Sequence, residues 1–234
     1  VADDMTTIPI VALDVASATE GLRLAGLLGD RCRFYKVGLE LFTSEGPGIV
    51  RALREVGHEV FLDLKLHDIP NTVGSAARAA ARLGVSLLTV HASGGHAMVQ
   101  AAVEGAGSEC RILAVTVLTS LDAPAVAAAW GREPALSVEA EVARLAGVAA
   151  GAGAYGVVCS GREAAMVRDR FGGRLATLVP GIRFADGAVH DQSRVVTPGQ
   201  AAAAGARYVV VGRAVTAATD PAASMERVLA ELGG

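Results

Sequence analysis

The stretch EVFLDLKLHDIPNTVGSAARAAARLG, residues 59–84, contains one whole structural unit. Its first part, EVFLDLK (59–65), opens on Glu59, is otherwise almost continuously apolar and reads as a buried strand interrupted by Asp63 and Lys65. Its last part, TVGSAARAAARLG (72–84), is rich in alanine and closes on Gly84, where a helix C-cap is expected. Where the strand ends, DLKLHD (63–68) sets a lysine between carboxylates.

The same unit recurs outward in both directions. Strand-like runs are IPIVALD (8–14), RFYKVG (33–38), EVFLDLK (59–65), SLLTVHA (86–92), RILAVTVL (111–118), YGVVCS (155–160), LATLVPGI (175–182) and RYVVVGR (207–213). Between them lie helical patterns such as ATEGLRLAGLLG, PGIVRALREVG, EAEVARLAGVAAGAG and TPGQAAAAGA. Apolar strands separated by helices imply a parallel sheet covered by those helices. Eight repeats in 234 residues predict a single-domain α/β protein, a (β/α)₈ TIM barrel. An open doubly wound sheet is the alternative, but DVASATEG (14–21) after the first strand lacks its glycine-rich fingerprint.

Composition narrows the function. A chain that is 52% hydrophobic, with a net charge of −3, can bury a large core and offers no overall basic field for nucleic acid. Cys32, Cys110 and Cys159 are odd in number, widely spaced and set in apolar surroundings, which argues against a disulfide framework or zinc site and for a reducing cytoplasm. VADDMTT lacks the layout of a signal peptide, and no apolar run approaches the ~20 residues of a membrane helix.

Polar residues collect at or just past the C-terminal ends of the predicted strands: Asp14, Lys36, Asp63 with Lys65, His91, Thr119 with Ser120, Ser160, Arg183 and Arg213. In a barrel these ends meet at one mouth, where active sites are built. A single Asp or Ser at a strand end reads first as a capping or loop residue; it is their coincidence that points to a site. Of the 21 basic residues only Lys36 and Lys65 are lysines. Arginine stays protonated in proteins, whereas lysine can release and regain a proton, so a lysine kept at a barrel mouth is a candidate proton donor. The competing reading, that Lys65 only neutralises Asp63 and Asp68, would be served as well by arginine. Period-2 alternation puts Asp63 and Lys65 on one inward face, with Ile10, Ala12 and Asp14, and Phe34 and Lys36, following suit on their strands.

These residues carry a resemblance. FLDLKLHDIPNTV (61–73), FYKVG (34–38), VALD (11–14), VTVLTS (115–120), PGIR (180–183), DQSR (191–194) and VVVGRAVT (209–216) are together similar to the orotidine 5′-phosphate decarboxylase family, in order and over nearly the whole chain. The DxKxxD core alone is shared more widely among barrels acting on phosphosugars; the flanking motifs make the match specific. The resemblance starts near Thr7, leaving residues 1–6 as an extension without a catalytic role.

It implies a cytoplasmic, cofactor-independent and metal-free enzyme that makes uridine 5′-phosphate for pyrimidine biosynthesis. Lys36, Asp63, Lys65 and Asp68 would form an alternating charged array, with Lys65 stabilising and protonating the carbanion at carbon 6. Asp14 and Lys36 would hold the ribose hydroxyls, and Thr119 and Ser120 would face the pyrimidine beside Pro180. Arg183, Gln192, Arg213 and the backbone of Gly212 would bind phosphate. Asp68 and Thr72 would enter the neighbouring subunit's site in a homodimer. Gly181 and Gly187 would let the segment 181–194 move over the substrate. His91 is expected to serve as a structural hydrogen-bonding group, and His67 is left without a role. One rival is a magnesium-dependent keto-sugar-phosphate decarboxylase or aldolase of the same barrel group. It would want a further carboxylate near the second strand's end, where this chain has Lys36 and only later Glu40. The other is a phosphosugar-binding barrel without catalysis, which the intact charged residues disfavour.

Overall fold

Alternation along each strand sorts side chains onto two faces, and the computed structural model, which describes residues 6–133, 135–185 and 195–233, shows that sorting closed into a barrel. The first half runs β1 (Ile8–Leu13), α1 (Ala18–Leu28), β2 (Phe34–Val37), α2 (Leu39–Glu45), α3 (Gly48–Glu55), β3 (Glu59–Leu66), α4 (Pro70–Arg82), β4 (Leu87–His91) and α5 (His96–Ala106). The second runs β5 (Arg111–Val115), α6 (Ala123–Trp130), α7 (Val138–Gly151), β6 (Gly156–Val158), α8 (Gly161–Phe171) and β7 (Ala176–Val179). It ends with α9 (Pro198–Ala203), β8 (Tyr208–Val211), α10 (Arg213–Thr216) and α11 (Pro221–Leu232). All eight strands are parallel and pair in chain order, β8 returning to β1, which makes a TIM barrel. Among the described residues no helix is long and apolar enough to cross a membrane.

Two cores result. Ile10, Ala12, Phe34, Phe61, Leu87, Leu113, Leu178 and Val210 point inward and fill the barrel, with Tyr208 in the same cluster. Their strand neighbours Val11, Leu13, Tyr35, Val37, Val60, Leu62, Leu88 and Val90 point outward and pack under the helices. The barrel is thus plugged by side chains, and a ligand can enter only at an end.

The strands stop sooner than their apolar runs. β7 ends before Pro180, which has no N–H to give the ladder, and Gly181 then turns with φ +75°. β8 ends at Val211 because Gly212 caps α10, so Arg213 opens a helix instead of closing a strand. β5 ends at Val115, and Leu118 to Leu121 form a turn closed by a 3.0 Å hydrogen bond.

Helices α4 and α5 pack backbone to backbone at two glycines. A Cβ on Gly105 would collide with the carbonyl oxygen of Gly74, and one on Gly74 would lie 2.9 Å from the carbonyl oxygen of Ala101. Gly147 in α7, by contrast, has nothing within 4 Å of where its Cβ would be. Alanine is worth about 1 kcal/mol more than glycine in a helix, whereas overpacking costs about 1–3 kcal/mol. Gly105→Ala should therefore lower the thermal midpoint and Gly147→Ala raise it by a few degrees, read by circular dichroism melting of the two variants.

Candidate active site

At the C-terminal end of the barrel the inward face turns from apolar to charged. Asp14 follows β1, Lys36 lies in β2, and Asp63 and Lys65 lie in β3. Lys36 Nζ donates to Asp14 Oδ1 at 2.7 Å and lies 3.9 Å from Asp63 Oδ2. Lys65 Nζ donates to the same Asp63 oxygen at 2.8 Å. The result is a chain of alternating charge, Asp14, Lys36, Asp63, Lys65. Its middle is dry: the side chains of Lys36 and Asp63 are 10% and 11% exposed, against 30% for Lys65 and 60% for Asp14. Removing an ion from water costs several kcal/mol, and a buried pair seldom returns a surplus, so the array is a poor device for stability and a good one for chemistry.

Two local features make room for it. A Cβ on Gly38 would stand 2.9 Å from Lys36 Nζ and 3.3 Å from Asp14 Oδ1, so a side chain there would push that pair apart. In β3, plain period-2 alternation fails at the lysine. Leu62 pairs with Leu88 but Leu66 pairs with Val90, four residues of β3 against two of β4, and Lys65 in this bulge has φ +48°. It is the only non-glycine residue with positive φ among the described residues. Such a conformation costs a non-glycine residue about 1–3 kcal/mol. Asp63 and Lys65 do meet, as expected, but through a bulge and not a regular strand.

Thr89, which sequence reasoning passed over, holds the bulge. Its hydroxyl donates to Asp63 Oδ1 at 2.8 Å and accepts from the Lys65 N–H at 2.9 Å, and the residue is fully buried. The signal was present: Thr89 shares the inward alternation of Leu87 on β4 and is a polar residue in an apolar run.

The array floors a cavity of about 540 Å³. Asp14, Lys36, Asp63 and Lys65 line it on one side, and Thr119, Ser120, Pro180, Arg183, Gly212 and Arg213 line the rest, with Phe61, Val115, Leu178 and Val210 beneath. Arg183 Nη1 donates to the carbonyl of Ile182 at 2.8 Å. Gly181 borders the cavity too, while Gln192 and Gly187 fall outside the described residues.

Asp68 and Thr72 are not brought into this cavity. Both are exposed; Asp68 Oδ1 accepts from the Ile69 N–H at 2.6 Å and borders a separate outer recess with His67, Ile69, Pro70 and Gly94. Beside them Ile69 is 67% exposed, an apolar side chain presented to the outside. Ser160 belongs to neither place: it caps α8, accepting from the Arg162 N–H while Glu163 accepts from the Ser160 N–H.

His91 is half-buried with its ring 5.6 Å from that of His67. Burial first, and then the charges of His67 and Lys65, hold its imidazole below the ordinary range, with Asp63 pulling the other way. Among the described residues no three His, Cys, Asp or Glu side chains form a group that could hold a metal ion, and Glu40 is exposed on α2.

The model of the "Orotidine 5′-phosphate decarboxylase / HUMPS family" matches residues 7–228. The orotidine 5′-phosphate decarboxylase of Anaeromyxobacter sp. (strain K) is 52% identical over 221 residues, 94% of this chain and 96% of that one. That of Geobacillus thermodenitrificans is 46% identical over 233 residues, 96% of each chain. Among solved structures, the Lactobacillus acidophilus orotidine 5′-phosphate decarboxylase superposes with a TM-score of 0.86 at 37% identity, covering 97% of this chain and 100% of the other.

Proposed function

Because the chain belongs to the orotidine 5′-phosphate decarboxylase / HUMPS family, we propose that it converts orotidine 5′-phosphate to uridine 5′-phosphate and carbon dioxide without metal or cofactor. The observation that carries this reading is the Lys65 ammonium, held 2.8 Å from Asp63 at the floor of the cavity.

In the proposed reaction the bond from carbon 6 to the carboxylate breaks, carbon dioxide leaves, and the electron pair stays on the ring. A fixed ammonium beside that carbon stabilises the charge as it develops, with no solvent to reorganise. Lys65 then gives its proton to carbon 6 and is reprotonated from solvent, so each turnover consumes one proton. Asp63 would face the substrate carboxylate. At ~4 Å and an effective dielectric of ~20, that repulsion is worth roughly 4 kcal/mol, about three powers of ten in rate. Its bonds to Lys65 and Thr89 share out its charge, so most of the acceleration must come from the lysine and from binding energy of distant groups.

Those distant groups follow the cavity wall. Asp14 and Lys36 are assigned to the ribose hydroxyls, Thr119, Ser120 and Pro180 to the pyrimidine, and Arg183, Gln192, Gly212 and Arg213 to the phosphate. Asp68 and Thr72 are assigned to the site of a second subunit in a homodimer, supported by their exposed position away from their own cavity. The reading takes residues 1–234 as one barrel domain, with 1–6 as an extension. A reducing cytoplasm suits the three cysteines, all of them buried.

The test is direct. Orotidine 5′-phosphate added to protein stripped of metal with excess chelator should be consumed, its absorbance falling as uridine 5′-phosphate forms. No turnover would overturn the proposal, and turnover restored only by magnesium would overturn its metal independence.

A further inference from the structure

A hydroxyl has one proton to give, and Thr89 gives it to Asp63 Oδ1 while its oxygen accepts the Lys65 N–H. This one buried group therefore ties together the carboxylate and the backbone of the lysine that the array depends on. Three features make the arrangement more than local satisfaction of polar atoms. First, the bulge of four residues of β3 against two of β4 takes the Lys65 N–H out of the regular ladder, and a side chain replaces the lost partner. Second, Lys65 is the residue with φ +48°, so its direction is set by whatever holds that amide. Third, Asp63 receives Thr89 on Oδ1 and Lys65 on Oδ2, which fixes the plane of the carboxylate and with it the line along which the ammonium is held.

We propose that Thr89 is a positioning residue for the decarboxylation, aiming the Lys65 ammonium and the Asp63 carboxylate through one hydroxyl without touching substrate. The proposal rests on Lys65 being the proton donor. A purely structural threonine would fill space between β3 and β4, and valine, of nearly the same shape, would replace it. A positioning threonine needs the hydroxyl, so serine replaces it and valine does not.

The experiment compares Thr89→Val, Thr89→Ser and Lys65→Ala, measuring kcat, KM and the dissociation constant of uridine 5′-phosphate. Thr89→Val should lower kcat about 100-fold, the loss typical when a reacting group is displaced by about 1 Å, and leave product affinity within about threefold. Thr89→Ser should stay within about fivefold of the parent in kcat. Thr89→Val at parental kcat, or losing product affinity in step with kcat, would overturn the proposal, as would Thr89→Ser no better than Thr89→Val. Should Thr89→Val fail to fold, Thr89→Cys, close to serine in shape, carries a thiol too weak in hydrogen bonding to substitute, and the same comparison with serine decides. The control separates the two readings. If Lys65→Ala still turns over, the lysine assignment falls and takes this one with it; if Lys65→Ala is dead and Thr89→Val is not, only the role of Thr89 falls.

Discussion

Lys65→Ala should lose at least about 10⁴-fold in turnover while still folding and still binding uridine 5′-phosphate. Proton transfer by a positioned group contributes typically ~10²–10⁴-fold, and electrostatic stabilisation of developing charge a further ~10²–10³-fold; in the proposed mechanism one lysine supplies both. The fold should survive because Asp63 keeps the Thr89 hydrogen bond and Lys36 at 3.9 Å. Arg213→Ala gives the contrasting pattern. It removes an assigned phosphate partner at the far wall and spares the proton donor, so binding should weaken about 100-fold or more. Steady-state kinetics and calorimetry with the product nucleotide separate the two. Appreciable turnover in Lys65→Ala would remove the lysine from the chemistry.

The second result concerns two inactive proteins that should rescue one another. If the proposed shared site holds, Lys65→Ala and Asp68→Ala homodimers are each expected to be nearly dead, because every site lacks either the lysine or the Asp68 carboxylate. After mixing and subunit exchange, a hybrid dimer has one site with Lys65 from the first chain and Asp68 from the second, wholly wild type. Its other site carries both defects. Random exchange makes about half the dimers hybrid, so activity should rise to about one quarter of the parent by the symmetry of an isologous pair. What motivates the experiment is the placement of Asp68 outside its own cavity, beside the exposed Ile69. If Asp68 served Lys65 of the same chain, mixing would restore nothing.

Much of this architecture was readable from residue order alone. Apolar alternation is a local property, and it alone assigns Ile10, Ala12 and Phe34 to the barrel interior. It also brought Asp14, Lys36 and Asp63 to one mouth, since parallel strands in a barrel all end there. The bulge at Lys65 was not readable. It depends on how β3 aligns with β4 and on a hydrogen bond from the Lys65 N–H to Thr89, 24 positions further along the chain. For the same reason Thr89 was passed over in favour of His91, whose side chain is the more conspicuous chemically. Nor did the apolar run RYVVVGR (207–213) disclose that Gly212 caps a helix at Arg213, because a strand and the first turn after it differ there only in backbone angles.

The backbone at Lys65 also sets selection for durability against selection for turnover. A left-handed φ of +48° is a conformation that glycine adopts without penalty and asparagine more easily than lysine. Glycine would shed that strain but strip the buried Asp63 of its ammonium partner, so the position sets backbone ease against charge. Natural proteins commonly sit below their stability optimum where function asks for strain, and residue 65 locates that compromise in this barrel in a single dihedral angle.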